Sequence, residues 1–530
     1  MGLLHDLYEL YTPKERRNIT MYIIGIMLYK FGLESFIGSI TTLATDRFSA
    51  TNAANAFAKV GILQGLNQAM QCVGAILIAP LIRSFNTRSV LATAIIGFAI
   101  LTAILLICDV ATGGRIRTDV NHYGNYNPDI IFPVYCAAGV AYGMVELIRR
   151  VIPRDIVGGH IGKLKRMDAV VHVLYEISGT IGAFSSSALI QKLGNNYSFV
   201  VAPVCFGLAG FVWCFVDANF GEGDESQLDS AGQPTPHTSK GIRGYIVGVS
   251  TGFWYFGKAV RVGAGLVLGN RKFCWLVPGY AFALFGHRYL ENNIANIFAK
   301  SVLNDSSYQP IIVGGSNFGE LLGAITVLFT ANGIPTPIPF IRADAILLLI
   351  VWYLPFYHPQ PNKVVEAWKI AATFIPISFG WAAGDVSLAA YIQSSLARVE
   401  SRTVGVSALG AVMSFLYVLY IVIYAILSPV LGRYVDQTIS SDGPQTALFN
   451  IAGVHFTVLS GVIFLATLIP KGALRLNPEL LDNEDLNREH RPTYPAAAET
   501  NEKHSMAETD VEPQSASSPN SFVEMRRLPA

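Results

Sequence analysis

A dozen apolar runs of about 20 residues, separated by short clusters of charge, constrain this chain more than any other feature. A helix rising ~1.5 Å per residue crosses a ~30 Å hydrocarbon core in that length. No aqueous core buries twelve such stretches, so lipid must cover them. Charged residues make up only 14% of the chain, against roughly 25% in soluble domains, and they gather between the runs. The runs fall at 19–43, 56–82, 89–110, 130–148, 169–191, 197–217, 273–298, 309–331, 341–357, 366–392, 405–429 and 447–469. They predict an all-α membrane protein with twelve transmembrane helices. The lipid bilayer is then an obligatory partner, and the net charge of +1 gives no reason to expect nucleic acid.

An even count puts both ends of the chain on one side, and the basic residues choose which. With 1–18 in the cytoplasm, the inner segments hold Lys14, Arg16 and Arg17, then Arg83 and Arg88, then Arg149, Arg150, Arg154, Lys163, Lys165 and Arg166. The outer loops hold scattered singles and pairs such as Arg115, Arg117 and Lys192. This positive-inside bias runs the length of the chain. Between the sixth and seventh runs lies 218–272. Its first part, GEGDESQLDSAGQPTPHTSKG, is a polar linker. From Tyr245 to Leu268 it is apolar, and its only charges are Lys258 and Arg261, three apart on one helix face. An amphipathic helix on the cytoplasmic surface is expected here rather than a thirteenth span, which would put Lys471 and Arg475 outside. From 470 to 530 the chain turns polar and reads as a disordered cytoplasmic tail.

The linker divides the spans into six at 19–217 and six at 273–469. Gly65, Asn67, Gly74, Ala75 and Ile76 in span 2 match Gly315, Asn317, Gly323, Ala324 and Ile325 in span 8, with one gap between. YGMVE (Tyr142 to Glu146) in span 4 echoes FGWAAGD (Phe379 to Asp385) in span 10, and spans 1 and 7 share KFGLE and LFGHRYLE. Each pair joins span n to span n+6, the pattern of two pseudo-symmetric six-helix halves.

With these features the chain resembles the major facilitator superfamily over about residues 15–470. The strings YELYTPKERRNITMYIIGIMLYKFGLE, YGMVELIRRVIPRDIVGG and FIPISFGWAAGDVSLAAYIQ carry a narrower likeness to a fungal group of unassigned substrate. The resemblance implies that spans 1, 4, 7 and 10 line a central cavity about which the halves rock. Two of the superfamily's motifs are degraded. The loop after span 2 reads APLIRSFNTR, with Arg83 at the position of the usual latch aspartate, and span 5 offers GTIGAFSSS in place of the antiporter glycine–proline pair. Drug/proton antiport therefore has no motif support.

An ionisable group at membrane depth costs at least ~2.5–3.5 kcal/mol on insertion scales, so each one needs a reason. Lys30 and Glu34 lie four apart near the middle of span 1; His287, Arg288 and Glu291 occupy span 7, Glu320 lies halfway along span 8, and Asp385 belongs to span 10. These are the candidate substrate or coupling-ion pathway. Glu146, Arg149, Arg150 and Glu176 lie nearer the cytoplasmic side and are the candidate gate, with His172 four residues before Glu176. Lys30–Glu34 and Arg288–Glu291 are equally readable as ion pairs that merely neutralise each other. Glu320 differs: its helix supplies no base within a turn, so it has the best claim to coupling-ion work.

Enzyme signatures are missing: there is no P-loop, HRYLE at 287–291 is not HExxH, and GVSTG at 248–252 lacks a strand–turn–helix setting. The six cysteines fall in or beside apolar runs without CxxC spacing, which points away from disulfides and zinc. No cofactor is expected. The first apolar run is long, carries Lys30 and Glu34 and reads as a span, not a cleaved signal. Asn304-Asp-Ser306 is a glycosylation sequon in an expected outer loop. The function these features imply is secondary transport of a small solute by alternating access, with protons as a possible second partner, in the plasma or vacuolar membrane. The alternative from another class is a receptor or sensor that kept the fold and lost the latch.

Overall fold

The computed structural model describes residues 11–118, 120–157, 161–217, 242–330, 333–334, 336–396, 408–470 and 472–475. The expected polar linker before 242 and the tail beyond 475 lie outside the described residues.

Helix α1 spans Pro13–Thr51, well beyond the apolar run inside it. Its start is set by polar chemistry: Thr12 and Glu15 form a reciprocal capping box, and Pro13 stands at the first helical position. Five more helices follow: α2 (Ala56–Ser84), α3 (Thr87–Ala111), α4 (Ile131–Ile156), α5 (Ile161–Leu193) and α6 (Val201–Trp213). Helix α7 (Ile242–Leu268) stands between the halves in sequence. The next, α8, covers 271–302 and is not uniform. Short α-helical pieces (Arg271–Cys274, Ala283–Tyr289, Ala295–Ile297) alternate with π-helical turns (Val277–Phe282, Leu290–Ile294, Phe298–Val302). The chain closes with α9 (Gln309–Thr330), α10 (338–356), α11 (Val364–Leu396), α12 (Ala408–Asp442) and α13 (444–466). Gly443, at φ +85°, makes the sharp turn between the last two.

Nine of the described helices are long and apolar enough to cross a membrane. The remaining three spans are α6, which is short, α8, which the π turns interrupt, and α11, which carries Glu366, Lys369 and Asp385. The buried apolar residues form two main clusters. One draws on 22–216; the other draws on 267–466 and takes only Phe57 from the first half.

Contacts between helices repeat in order. Moving α1–α6 onto α8–α13 turns the α2–α4 contact into α9–α11, α3–α4 into α10–α11, α3–α6 into α10–α13 and α1–α5 into α8–α12. The two broad contacts between halves, α2–α12 and α5–α9, exchange with each other. That is the behaviour of a pseudo-two-fold axis. The glycines share it. A Cβ on Gly74 would meet the Val140 carbonyl of α4, and one on Gly323 would meet the Phe379 carbonyl of α11. One detail of the sequence pairing is corrected. Gly65 packs on Ala425 across the halves, and the glycine that does the same in the second half, against Phe184, is Gly314 rather than Gly315. The gap that aligned Gly65 with Gly315 hid this register.

Call the end where α1 begins the near end, and the other the far end. The described contacts that tie the halves by hydrogen bonds cluster at the far end. Asp46 of α1 accepts from Lys300 Nζ at 2.8 Å and Ser306 Oγ at 2.9 Å, and Asn296 donates to Thr45 at 2.7 Å. Asp436 of α12 accepts from the backbone N–H groups of Phe57 and Ala58 at 3.0 and 2.9 Å, in the first turn of α2. Helix α7 lies against α2 and α12 toward the near end, with the Tyr245 hydroxyl on the Leu77 carbonyl and Gly263 against Ala411. Its other face exposes Ile246, Val247, Phe253 and Trp254, and Lys258 and Arg261 are exposed too.

Candidate functional site

Between the halves lies a cavity of about 310 Å³, walled by α1, α2, α4 and α5 on one side and by α8, α9, α11 and α12 on the other. It runs from mid-depth, at Lys30 and Glu34, to Arg149 and Asp385 toward the near end. Its wall is unusual for a membrane interior, because three helices each contribute an ion pair made within one turn. Lys30 Nζ meets Glu34 Oε1 at 2.5 Å on α1, with both side chains about nine-tenths buried. Arg149 Nη2 meets Glu146 Oε2 at 2.6 Å on α4, and Arg288 Nη1 meets Glu291 Oε2 at 2.8 Å on α8. Spacing of i to i+3 or i+4 puts both partners on one helix face, so each charge enters the membrane already matched.

Each pair is held by further groups. Lys30 and Arg149 both lie over the Tyr175 ring, at 4.6 and 4.4 Å from its centroid. Tyr29 and Tyr175 hydroxyls donate to Glu146 Oε1 at 3.1 and 3.2 Å. Ser316 of α9 donates to Glu291 Oε1 at 2.6 Å and shares a hydrogen bond with Ser378 of α11. The π turn at Leu290–Ile294 contains Glu291, so the irregular backbone of α8 coincides with the charged site.

Two carboxylates are left outside this pairing. Glu176 of α5 is buried, and its Oε2 has no hydrogen-bond partner. Glu320 of α9 also lines the cavity; among the described residues its carboxylate makes no hydrogen bond and no ion pair within 4 Å. Its charged neighbours are Glu291 and Arg288 of α8, Glu176 of α5 and Lys30 of α1.

Most residues singled out from the sequence therefore meet in one place: Lys30, Glu34, Glu146, Arg149, Glu176, Arg288, Glu291, Glu320 and Asp385 all line the cavity. His287 does not. Its Nε2 lies 2.9 Å from Asp344 Oδ1 of α10 and its ring stacks on Trp381 at 5.1 Å, which turns it away from the cavity. One position along a helix is about 100° of rotation, enough to carry His287 off the face that holds Arg288. Glu176 is among the expected gate charges. Lys163 pairs with Glu15 at 2.8 Å, and Glu176 faces the cavity. The side chain of Arg150 lies outside the described residues. His172, four residues before Glu176, also reaches the cavity wall.

Sequence reasoning missed a polar stripe on α2: Gln64, Asn67, Gln68 and Gln71 all face the cavity. Their spacing of three and four was visible in GILQGLNQAMQC and marks one face of an otherwise apolar helix. It also missed the aromatic lining, Tyr135, Tyr142, Tyr280, Trp381, Tyr417 and Tyr420, whose pattern does not differ from that of ordinary core residues.

No protein-family model matches the sequence. No curated protein matches it either. Solved structures match in shape. A D-xylose–proton symporter aligns with a TM-score of 0.59 at 13% identity, covering 88% of this chain and 98% of the symporter. The nucleoside transporter NupG aligns at 0.56 and 13%, covering 86% and 99%. A bacterial homologue of the human drug peptide transporters PepT1 and PepT2 aligns at 0.55 and 13%, covering 90% and 99%. At such identities the likeness establishes the fold alone: two pseudo-symmetric six-helix halves, as in these transporters.

Proposed function

We propose that this chain is a secondary active transporter that carries a small solute by alternating access, with protons as the coupling ion. The carrying observation is the cavity at the boundary of the halves, lined by charged groups from both, with the described hydrogen bonds between the halves clustered at the far end. A rocking motion about that boundary exposes the same groups to either side in turn. Solved transporters for xylose, nucleosides and peptides share the fold, and their chemistry makes small polar solutes the natural class here. The narrower likeness to a fungal group remains part of this reading and rests on the sequence strings alone.

The near end is assigned to the cytoplasm because Arg16, Arg17, Arg88, Lys163, Arg243, Arg271 and Lys272 lie there. The chain is then in an inward-facing state, with 1–18, 218–272 and 470–530 on the cytoplasmic side of the two halves 19–217 and 273–469. Glu320 is the coupling carboxylate. It sits in the cavity wall, no base of its own helix neutralises it, and its nearest charged neighbours come from three other helices. Glu146, Arg149 and Glu176 act as charges that the rocking motion repositions.

Purified full-length protein in liposomes tests the reading. Solutes that raise its melting temperature are loaded on one side, and counterflow of a labelled trace is measured with and without a pH gradient. Transport predicts accumulation against the solute gradient; a receptor predicts binding without flux, and that result overturns the proposal. Single cysteines at 111–128 should label from outside intact cells, and those at 155–168 should not.

A further inference from the structure

The cavity holds bases and acids in unequal number. Lys30, Arg149 and Arg288 are each matched within their own helix, by Glu34, Glu146 and Glu291. Glu176 and Glu320 come in addition, from opposite halves and from the two helices, α5 and α9, that pack on each other across the boundary. Glu176 is 7% exposed with Oε2 unpartnered. Asp385 and His172 are the other carboxylate and the imidazole on this wall, beside the phenols of Tyr135, Tyr142, Tyr175, Tyr280, Tyr417 and Tyr420, and Asp385 is engaged by an interaction of its own.

Two carboxylates facing one low-dielectric space repel, and both stay ionised only if a cation lies between them. Among the described residues the three bases are each matched to another carboxylate, so the charge that balances Glu176 and Glu320 comes from protons or from a bound cation. We infer that the transported solute is a small organic monocation, an ammonium bound between Glu176 and Glu320. This deepens the transporter reading and rests on it.

Three further features select this class. Among the described residues no group of three or more His, Cys, Asp or Glu could hold a metal ion, so the site lacks the ligand count of a metal carrier. The cavity wall also carries aromatic rings, Trp381, Tyr142, Tyr417 and Tyr420 among them, and ring faces suit alkylammonium groups. Asn317, three residues before Glu320 on the same helix face, is 5% exposed, and its amide nitrogen has no partner. It offers a donor to an oxygen on the solute, as in an amino alcohol. The cavity volume, near the lower bound of small-molecule sites, limits that solute to modest size. A proton and the ammonium would compete for the same two carboxylates. Exchange of one for the other then follows without the antiporter glycine–proline motif.

The test compares charge at constant shape. Melting shifts of the purified chain are measured with tetramethylammonium, choline and N-methylphenylpyridinium, and with the neutral isosteres dimethylbutanol and phenylpyridine at a pH where phenylpyridine is unprotonated. Uridine, xylose and dialanine serve as neutral and zwitterionic references. Flux of the best binder is then followed in liposomes. At least one cation should bind, its isostere should not, and affinity should fall as the pH is lowered. Glu176→Gln and Glu320→Gln should each weaken cation binding roughly tenfold or more while melting within a few degrees of the parent protein. Ser441→Gln, exposed and outside the cavity, is the neutral control. If no cation of the panel binds, or if both glutamine variants bind it as the parent does, the inference is wrong. Counterflow of xylose, uridine or dialanine without cation binding would leave the transporter reading standing and remove the cation. Cation binding without flux of any solute would do the reverse.

Discussion

Lys30 and Glu34 illustrate what a charge inside this bundle requires. Both side chains are about nine-tenths buried, and neither has an exit to water except through the cavity. Removing one partner of such a pair leaves the other uncompensated, at about 3–5 kcal/mol, whereas replacing both by apolar groups of similar volume is nearly neutral. Lys30→Met should therefore lower the melting temperature of the detergent-solubilised protein sharply, and Lys30→Met with Glu34→Leu should recover most of the loss. A double variant no better than the single one would mean that the pair holds something other than itself. His287 makes the opposite case. Its contacts with Asp344 and Trp381 give it a packing role, so Asp344→Asn should cost stability while leaving the pH profile of flux unchanged. A shifted profile would return His287 to the pathway. The residues were legible in the sequence because ionisable groups are rare at membrane depth. Their facing was not, since neighbouring positions such as His287 and Arg288 differ by a third of a turn that no hydropathy plot records. The far-end carboxylates Asp46 and Asp436 were missed for a related reason: near a span boundary, charge is ordinary.

Helices in this fold approach through glycine at defined heights. A Cβ on Gly74 would lie 2.0 Å from the Val140 carbonyl oxygen, and one on Gly323 would lie 2.5 Å from that of Phe379. Backbone cannot yield as a flexible side chain can, so even alanine forces α2 from α4 or α9 from α11, at about 1–3 kcal/mol. Gly74→Ala and Gly323→Ala should both lower melting temperature and recovery of monodisperse protein. Gly97→Ala and Gly461→Ala, with nothing within 4 Å, should be silent. Equal behaviour of all four would refute the register of the repeat. At this scale the sequence was a good guide to the existence of the spans and a poor one to their ends. Helix α1 overran its apolar run because a capping box, not lipid, ends it at the near side. The π turns of α8 left no trace in composition, because they are set by how α8 packs on its neighbours rather than by local preference.

Closure at the far end is the property of the whole molecule that the proposed alternating access must undo. The loop after span 2 reads APLIRSFNTR and lacks the latch aspartate of the superfamily that the sequence resembles. At the opposite end, Asp436 of one half accepts two backbone N–H groups in the first turn of α2 in the other, where the helix dipole also favours a carboxylate. Asp46 adds Lys300 and Ser306, at 15% and 33% side-chain exposure for the ion pair, so water screens it only in part. These contacts exist only while the far end is shut, and their free energy therefore biases the rocking equilibrium toward the state observed. Each carboxylate is worth about 1–2 kcal/mol to that bias. Asp46→Asn and Asp436→Asn should each raise the far-open population roughly tenfold, and the double variant should multiply the two effects. Spin labels on Thr51→Cys and Asp442→Cys, in a background without the native cysteines, read the far end as a distance distribution. Labels on Ser89→Cys and Arg271→Cys read the near end. The far-end pair should gain a longer component as the near-end pair gains a shorter one. Asp109→Asn is the control, because Asp109 is fully buried and bonds only within the first half, to Gly124 and Asn196. It should lower thermal stability and leave both distributions in place. Unchanged distances in Asp46→Asn and Asp436→Asn would show that packing of α2 on α12 and of α5 on α9, rather than these charges, holds the far end closed.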